Sequence, residues 1–145
     1  MSDTVVCAAE LTVDRQVADA LRLFTAEGEC RWAGAAWDPR FPVPGRTEGA
    51  GVVFVTAHDG HETTWVMVDQ DARGVRYARV TPGVAAGTVA VEVVEAGPAR
   101  TRVRVTYDLT ALGEGGRAWL AAFAAGYDAE IAGWEAAIAA ATRRV

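Results

Sequence analysis

The chain has 145 residues, of which 51% are hydrophobic and 23% charged, and its formal net charge is −5 at pH 7. This length and composition are typical of one folded domain, residues 1–145, and exclude a disordered chain. The negative charge argues against nucleic acid as a partner, because a polyanion is bound through clustered cations that release counterions.

Targeting signals are not apparent in the sequence. The first four residues are polar and lead into a strand pattern, without the basic start and apolar core of a secretory signal. No stretch approaches the roughly 18 uninterrupted apolar residues of a membrane span. We therefore expect a cytoplasmic protein with no membrane-spanning segment.

The N-terminal part of the chain predicts one strand and two short helices. Val5 to Val13 is β-rich and bounded by polar residues, which is typical of a strand. Asp14 then offers an N-cap, and apolar residues recur at spacings of three and four, which predicts a helix ending near Gly28. A second short helix is expected over Glu29 to Ala36, because the proline of Asp38-Pro39 disfavours helix in the residue before it.

The middle of the chain predicts an antiparallel sheet. A stiff irregular loop, rich in proline, carries Trp37 and Phe41. Five strand patterns follow, and the short turns between them imply antiparallel neighbours. These strands are Gly51 to Ala57, Glu62 to Gln70, Gly74 to Val80, Thr88 to Glu95, and Thr101 to Thr110.

Alternation along these strands separates a dry face of the sheet from a wet one. In the last strand the apolar residues from Val103 to Leu109 share one face, and polar residues share the other. Trp65 begins a continuous apolar run, so periodicity does not assign the inward face of the Glu62 to Gln70 strand. If Tyr77 faces inward, the alternation places Arg79 on the same side.

The C-terminal part of the chain predicts one long helix. No proline interrupts it up to Thr142, and one apolar stripe recurs at spacings of three and four. The stripe consists of Leu120, Phe123, Tyr127, Ile131, Trp134 and Ile138. A helix of roughly 26 residues, about 40 Å long, needs a long partner surface. The sequence therefore predicts an α+β helix-grip fold, with a six- to seven-stranded antiparallel sheet wrapped around this helix.

This order of elements resembles the SRPBCC superfamily, which includes START, polyketide cyclase and birch-allergen-like proteins. The resemblance covers nearly the whole chain and extends to short stretches like those of small bacterial members. These are Glu29-Cys30-Arg31-Trp32 with Trp37, Thr47 to Gly51, Glu62 to Trp65, Tyr77 to Gly83, and Val105 to Leu112. It implies an apolar small-molecule ligand between the concave sheet face and the terminal helix. The sequence does not distinguish a homodimer from a monomer.

The ligand position implied by the resemblance defines the candidate binding residues. They are Trp37, Phe41, Glu62, Trp65, Tyr77, Arg79, Tyr107, Phe123, Tyr127 and Ile131. Trp37 and Phe41 are expected at the entrance, and for any single aromatic residue a role in filling the core is favoured over ligand contact. Tyr127 is favoured as a ligand contact, because a buried hydroxyl needs a hydrogen-bond partner.

Arg79 needs a partner if it is buried on the cavity side. Glu48 and Glu62 are the candidates for a structural ion pair. The alternative partner is a carboxylate of the substrate, which would make Arg79 a binding residue.

Cofactor and metal motifs are missing from the sequence. There is no nucleophile elbow, phosphate loop or dinucleotide fingerprint, so no cofactor is expected. His58 and His61 lie in a turn without a further histidine or thiol nearby, so we expect no metal site. Cys7 and Cys30 lack CxxC spacing, which leaves disulfide and zinc sites without support.

Three functions are compatible with these residues. The first is a small-molecule-binding protein with an apolar cavity for a lipid-like or aromatic polyketide-like ligand. The second is a cyclase- or dehydratase-type enzyme, in which Arg79 and Tyr127 polarise a carbonyl and Glu62 moves a proton. The third is an interaction module resembling the heat-shock ATPase activators, with a filled core and an external binding surface.

Overall fold

The computed structural model describes residues 2–143, which form a sheet of six strands and three helices. In chain order the elements are β1 (Thr4–Val13), α1 (Val17–Arg22), α2 (Ala26–Glu29), β2 (Val53–His58), β3 (His61–Asp71), β4 (Gly74–Thr81), β5 (Ala85–Ala96), β6 (Thr101–Ala111) and α3 (Glu114–Thr142). Every neighbouring pair of strands is antiparallel, and the order across the sheet is β1-β6-β5-β4-β3-β2. The predicted helix-grip fold is confirmed.

The inner face of the sheet follows from the alternation of side chains. In β6, residues 103, 105, 107 and 109 are buried while the residues between them are mostly exposed. In β3 the buried residues are Thr63, Trp65 and Met67, which settles the face that periodicity left open. The alternation places Val68 towards solvent, and a register shift between Met67 and Asp69 leaves it without a partner residue in β4.

Helix α3 lies mainly against β1 and β6. Its buried side chains include Leu120, Tyr127, Ile131 and Ile138, which are members of the predicted apolar stripe. Glu135 on the same helix accepts a hydrogen bond from the backbone N–H of Thr12 at 2.7 Å. This contact covers part of the free edge of β1, the outer strand of the sheet.

The helices after β1 differ from the sequence prediction. Asp14 does not cap α1; its carboxylate lies 3.3 Å from Nε of Arg100, and Gln16 occupies the N-cap. The single helix expected up to Gly28 is divided, because Thr25 accepts a hydrogen bond from the N–H of Gly28 and so begins α2. Gly28 suits this close approach, since a Cβ there would lie 1.8 Å from the Arg22 carbonyl oxygen.

The helix expected over residues 29–36 is wrong. Only Glu29 is helical, and the following residues form turns. The indole N–H of Trp32 donates to the carbonyl oxygen of Leu23 at 2.7 Å, and Gly34 has a φ of 93°, which is incompatible with a helix. The turns bring Trp32 and Trp37 back against the sheet.

No helix in the part of the chain that the structure describes is long and apolar enough to cross a membrane.

Candidate functional site: an aromatic cleft

A cleft of about 840 Å³ lies between α3, the region from Phe24 to Trp37 and the inner face of the sheet. We call it the aromatic cleft, because all five tryptophans, all three tyrosines and three of the four phenylalanines of the chain line it. These residues are Phe24, Trp32, Trp37, Phe54, Trp65, Tyr77, Tyr107, Trp119, Phe123, Tyr127 and Trp134. Exposed residues such as His58 on the sheet side and Gly126 on α3 also line it, so the cleft opens to solvent.

One wall of the aromatic cleft comes from β2, β3 and β4. Phe54 and Trp65 are cross-strand partners, and their rings stack with 5.6 Å between centroids and 7° between planes. Tyr77 meets both rings edge-on at 6.0 Å. Trp37 closes the cluster with edge contacts to Phe54 and Trp65, and its indole N–H donates to the Ala26 carbonyl oxygen. Because these rings pack against one another, their contacts fix the shape of this wall without a ligand.

The opposite wall comes from α3. Trp119 and Phe123 lie one helical turn apart and stack with 5.2 Å between centroids and 16° between planes. Phe123 also contacts Tyr107 of β6, and Trp134 contacts Trp32 at 5.4 Å. The helical spacing of three and four thus aligns these rings along the cleft.

Arg79 lies between the two walls. It follows Tyr77 by two residues on β4, so it shares the inner face, as the alternation predicts. Its guanidinium carbon is 4.6 Å from the ring centroid of Trp65, and within 6.0 Å of those of Tyr107 and Trp119. Burial lowers the pKa of the guanidinium, and the neighbouring Tyr107 phenol acts in the opposite direction. Arginine nevertheless stays protonated in proteins.

The partner predicted for Arg79 is wrong. Glu62 lies on the surface, where its side chain is 65% exposed and forms an ion pair with Arg40, and Glu48 is exposed. Among the described residues, no carboxylate lies within ion-pair distance of Arg79. Its Nη2 donates to Thr81 Oγ1 at 3.3 Å, while its Nε is buried without a hydrogen-bond partner.

Hydroxyl groups surround the Arg79 end of the cleft. The Oγ1 atoms of Thr63 and Thr81 are 2.6 Å apart and share a hydrogen bond. The indole N–H of Trp65 donates to Thr56 Oγ1 at 2.9 Å. Thr56 and Thr63 both line the cleft, and Thr63 is linked to Arg79 through Thr81.

Glu29, the last residue of α2, is an acidic group in the lining that the sequence did not single out. Burial raises the pKa of its carboxyl well above the ordinary value, and no hydrogen bond to this carboxyl is present among the described residues. Burial, and secondarily Glu29, also raises the pKa of Tyr77. A carboxylic acid that keeps its proton towards neutral pH can donate a hydrogen bond or a proton to a bound molecule.

The structure places seven of the ten candidate residues in the lining. They are Trp37, Trp65, Tyr77, Arg79, Tyr107, Phe123 and Tyr127. The other three lie elsewhere: Phe41 packs against Phe54 outside the lining, Glu62 is on the surface, and Ile131 is 1% exposed in the core. Whether the seven bind a ligand stays a prediction.

The tyrosine hydroxyls are largely used within the protein. Tyr127 donates to the carbonyl oxygen of Val105, and Tyr77 donates to that of Phe24 at 2.8 Å. Burial raises the pKa of both phenols, and of Tyr107, far enough to keep them protonated at neutral pH. Tyr127 therefore presents its ring to the cleft, and its proton is committed to a backbone acceptor.

The two histidines lie at the β2–β3 hairpin. Nε2 of His58 is 3.2 Å from a carboxylate oxygen of Asp59, and both side chains are exposed. Within residues 2–143 no group of three or more His, Cys, Asp or Glu side chains is arranged to hold a metal ion.

Comparison with known proteins gives structural likeness only. A scan against protein-family models found no match, and neither did a search of curated proteins. Norcoclaurine synthase from Thalictrum flavum superposes with a TM-score of 0.69 at 14% identity, covering 98% of this chain and 88% of that one. The same enzyme in complex with dopamine and hydroxybenzaldehyde gives 0.66 at 15% identity, with 93% and 84% covered.

A second similar structure is DynU16, a putative protein in the dynemicin biosynthetic locus. Its TM-score is 0.63 at 15% identity, and the match covers 99% of this chain. The chain spans about half of DynU16, since 48% of that protein is covered. At such identities the likeness concerns the fold, and the fold of this chain is the helix-grip fold of the SRPBCC type.

Proposed function

We propose that the chain is a small-molecule-binding protein that takes a flat aromatic ligand in the aromatic cleft. The observation that carries this proposal is the concentration there of every tryptophan and tyrosine of the chain. The cleft volume of about 840 Å³ falls within the range of roughly 300 to 1,000 Å³ that is usual for small-molecule sites.

The aromatic lining favours an aromatic ligand over a lipid-like one. Offset or edge-to-face contacts between rings contribute about 0.5–1.5 kcal/mol beyond the burial of apolar area. An alkyl chain gains only the burial term. The half-buried rings of Trp37, Trp119 and Phe123 line the cleft and are available for such contacts.

Two glycines of α3 support the proposal independently. Gly126 and Gly133 line the cleft, and a Cβ at either position would meet no atom within 4 Å. Glycine inside a helix costs about 1 kcal/mol relative to alanine. Both glycines are exposed, so the absence of a side chain at these positions keeps this side of the cleft open to a ligand.

The structural neighbours agree with this ligand class. Norcoclaurine synthase is described in complex with dopamine and hydroxybenzaldehyde, both of which are small aromatic molecules. The interaction module weighed from the sequence would need a filled core, and a cleft of this size counts against it. The cytoplasmic location and the homodimer stay predictions.

A second candidate is a cyclase- or dehydratase-type enzyme. Glu62 cannot move the proton from its place on the surface, but Glu29 lies in the lining together with Arg79. In this reaction Glu29, in its ionised form, would remove a proton from the carbon beside a carbonyl and return a proton to that carbon, and Arg79 would hold the developing oxyanion. Exchange of the α-hydrogens of β-tetralone in heavy water tests it: Glu29→Gln should abolish any exchange that the native protein accelerates, and no acceleration would remove this candidate.

The binding proposal is tested by titration with N-phenylnaphthylamine, a neutral aromatic probe. Since all five tryptophans line the cleft, we expect saturable quenching of tryptophan fluorescence at one probe per chain. Dodecanol, a neutral alkyl compound, should compete poorly. Absence of saturable binding would overturn the proposal, and efficient competition by dodecanol would shift the ligand class to lipids.

Native mass spectrometry of gently purified protein gives a complementary test. A reproducible mass beyond the 15.3 kDa chain, removed by the naphthylamine probe, would identify the natural ligand as an occupant of this cleft.

A further inference from the structure

The charges in the aromatic cleft do not balance. Arg79 is the only arginine in the described lining, and no carboxylate pairs with it. Of the three acidic residues there, Asp59 pairs with His58 at the exposed mouth, and Glu130 is exposed and accepts a hydrogen bond from Trp134. Glu29, the third, is half-buried and forms no ion pair with Arg79, and burial raises the pKa of its carboxyl. Arg79 itself is half-buried, and a cation withdrawn from water without a partner is unfavourable until an anion joins it.

The hydrogen-bond donors of Arg79 are also mostly unused. A guanidinium has five N–H groups. Among the described residues, Nη2 donates to Thr81, the Tyr107 phenol lies close enough to act as a second acceptor, and the buried Nε has no acceptor. The free donors form the planar fork that binds two oxygens of one anionic group.

The aromatic surroundings hold this fork in position. Trp65 lies 4.6 Å from the guanidinium carbon, and Trp119 lies 5.9 Å from it. These contacts stabilise the cation and restrain its plane, but rings do not satisfy its N–H groups. A low-polarity environment also strengthens an ion pair formed within it.

We infer that the ligand of the aromatic cleft carries an anionic oxygen group on its ring system, and that Arg79 binds this group. The inference rests on the proposed function, because it names the chemistry of a ligand in the same cleft. Carboxylate, phenolate and sulfonate groups share this chemistry, and the hydroxyls of Thr56 and Thr63 lie on the same side of the lining.

The test uses two probes with the same rings. Anilinonaphthalenesulfonate carries a sulfonate that the neutral N-phenylnaphthylamine lacks, and both fluoresce in apolar sites. The variants are Arg79→Met, which keeps the size of the side chain, and Arg76→Met as the matched control. Arg76 lies on the same strand but faces outwards, where it pairs with Asp69 at 3.6 Å.

We expect Arg79→Met to lower the affinity for the sulfonate probe about tenfold or more, because a charge-assisted bidentate contact is lost. The affinity for the neutral probe should stay nearly unchanged. Arg76→Met should change neither affinity. Arg79→Lys should recover part of the preference, because it restores the charge without the fork. If Arg79→Met does not fold, Arg79→Gln carries the same comparison.

The outcomes separate the two proposals. If the neutral probe binds but Arg79→Met leaves the ratio of the two affinities unchanged, aromatic binding stands and the anion site is wrong. The anion site is also wrong if Arg76→Met lowers this ratio as much as Arg79→Met does. If neither probe binds the native protein, both proposals fail.

Discussion

The inner face of the sheet has two halves of different composition. In the closed half, α3 covers β1 and β6 through aliphatic side chains such as Leu120, Ile131 and Val105, which are almost fully buried. In the open half, β2, β3 and β4 present Phe54, Trp65 and Tyr77 to the aromatic cleft. The same strand alternation builds both halves, so the difference lies in the side chains and in what covers them.

The difference indicates a division between stability and binding. Branched aliphatic side chains interdigitate and close the gap between helix and sheet. The large rings of the open half stack or meet edge-on within each wall, and a cleft of about 840 Å³ remains between the walls. The open half also holds Arg79 and Glu29, which a closed core would not accommodate without partners. Substitutions in the closed half should therefore lower stability but not ligand affinity, and substitutions in the open half should lower ligand affinity but not stability.

The largest effect is expected from Ile131→Ala in the closed half. Ile131 is 1% exposed, and removing a fully buried Ile side chain costs about 2–5 kcal/mol of unfolding free energy. Urea denaturation measures this loss, and Val6→Ala, at a position 68% exposed, should change stability by less than about 0.5 kcal/mol. The folded variant should bind N-phenylnaphthylamine normally, since Ile131 is outside the lining. Weakened binding by folded protein would contradict the division.

The next effect is expected from Gly126→Leu in the open half. The new side chain would enter the cleft without a clash, so probe affinity should fall about tenfold, or 1.4 kcal/mol. Stability should stay unchanged or rise by up to about 1 kcal/mol, because glycine is a poor helix former. Gly115→Leu is the control, as its Cβ is equally unobstructed but lies outside the lining. An equal loss of affinity in Gly126→Leu and Gly115→Leu would show that the probe binds outside the aromatic cleft.

A pH-dependent effect is expected from Glu29→Gln. The folded pKa of Glu29 is raised above its ordinary value of 4.5, so the native state holds this proton more tightly than the unfolded chain. Stability from this group is therefore present below pH 4.5 and is lost as the pH rises through the folded pKa. Gln removes that loss, so the variant should match the native protein in acid and become the more stable of the two at higher pH.

Urea denaturation across this pH range measures the difference. Glu27→Gln on the same helix is the control, because Glu27 is exposed. Parallel stability curves for the native protein and Glu29→Gln would show that the carboxyl is solvated in the folded state.

The fold was predictable from local patterns. Alternation in residues 103–109 and the helical stripe from Leu120 to Ile138 each indicate a buried face directly, and both are in the structure as predicted. The boundary between α1 and α2 was not predictable, because it depends on the Thr25 cap and on a close approach at Gly28. Periodicity alone does not distinguish one helix from two short ones with the same apolar spacing.

The site was predictable in part, and for a physical reason. Strand alternation placed Arg79 on the same face as Tyr77, and both line the cleft. Trp65 also lines the cleft, but periodicity did not assign its face. Glu29 was missed because it ends the short helix α2, and no local pattern records how this helix is placed against the cleft. Glu62 was misplaced because it lies on the exposed end of its strand, where Arg40 is a nearer partner than Arg79. Ion pairs between distant residues depend on tertiary contacts, which local sequence patterns do not predict.

The smallest effect is expected from Tyr127→Phe, which lies where the two halves meet. Its ring lines the cleft while its hydroxyl donates to the Val105 carbonyl oxygen in the closed half. Loss of that hydrogen bond should cost about 1 kcal/mol of stability, and probe affinity should change by less than about twofold because the ring is retained. Calorimetric titration of the folded variant measures both probes. A larger loss of affinity would mean that the hydroxyl leaves Val105 to bind the ligand, and that the division between the halves shifts when the cleft is occupied.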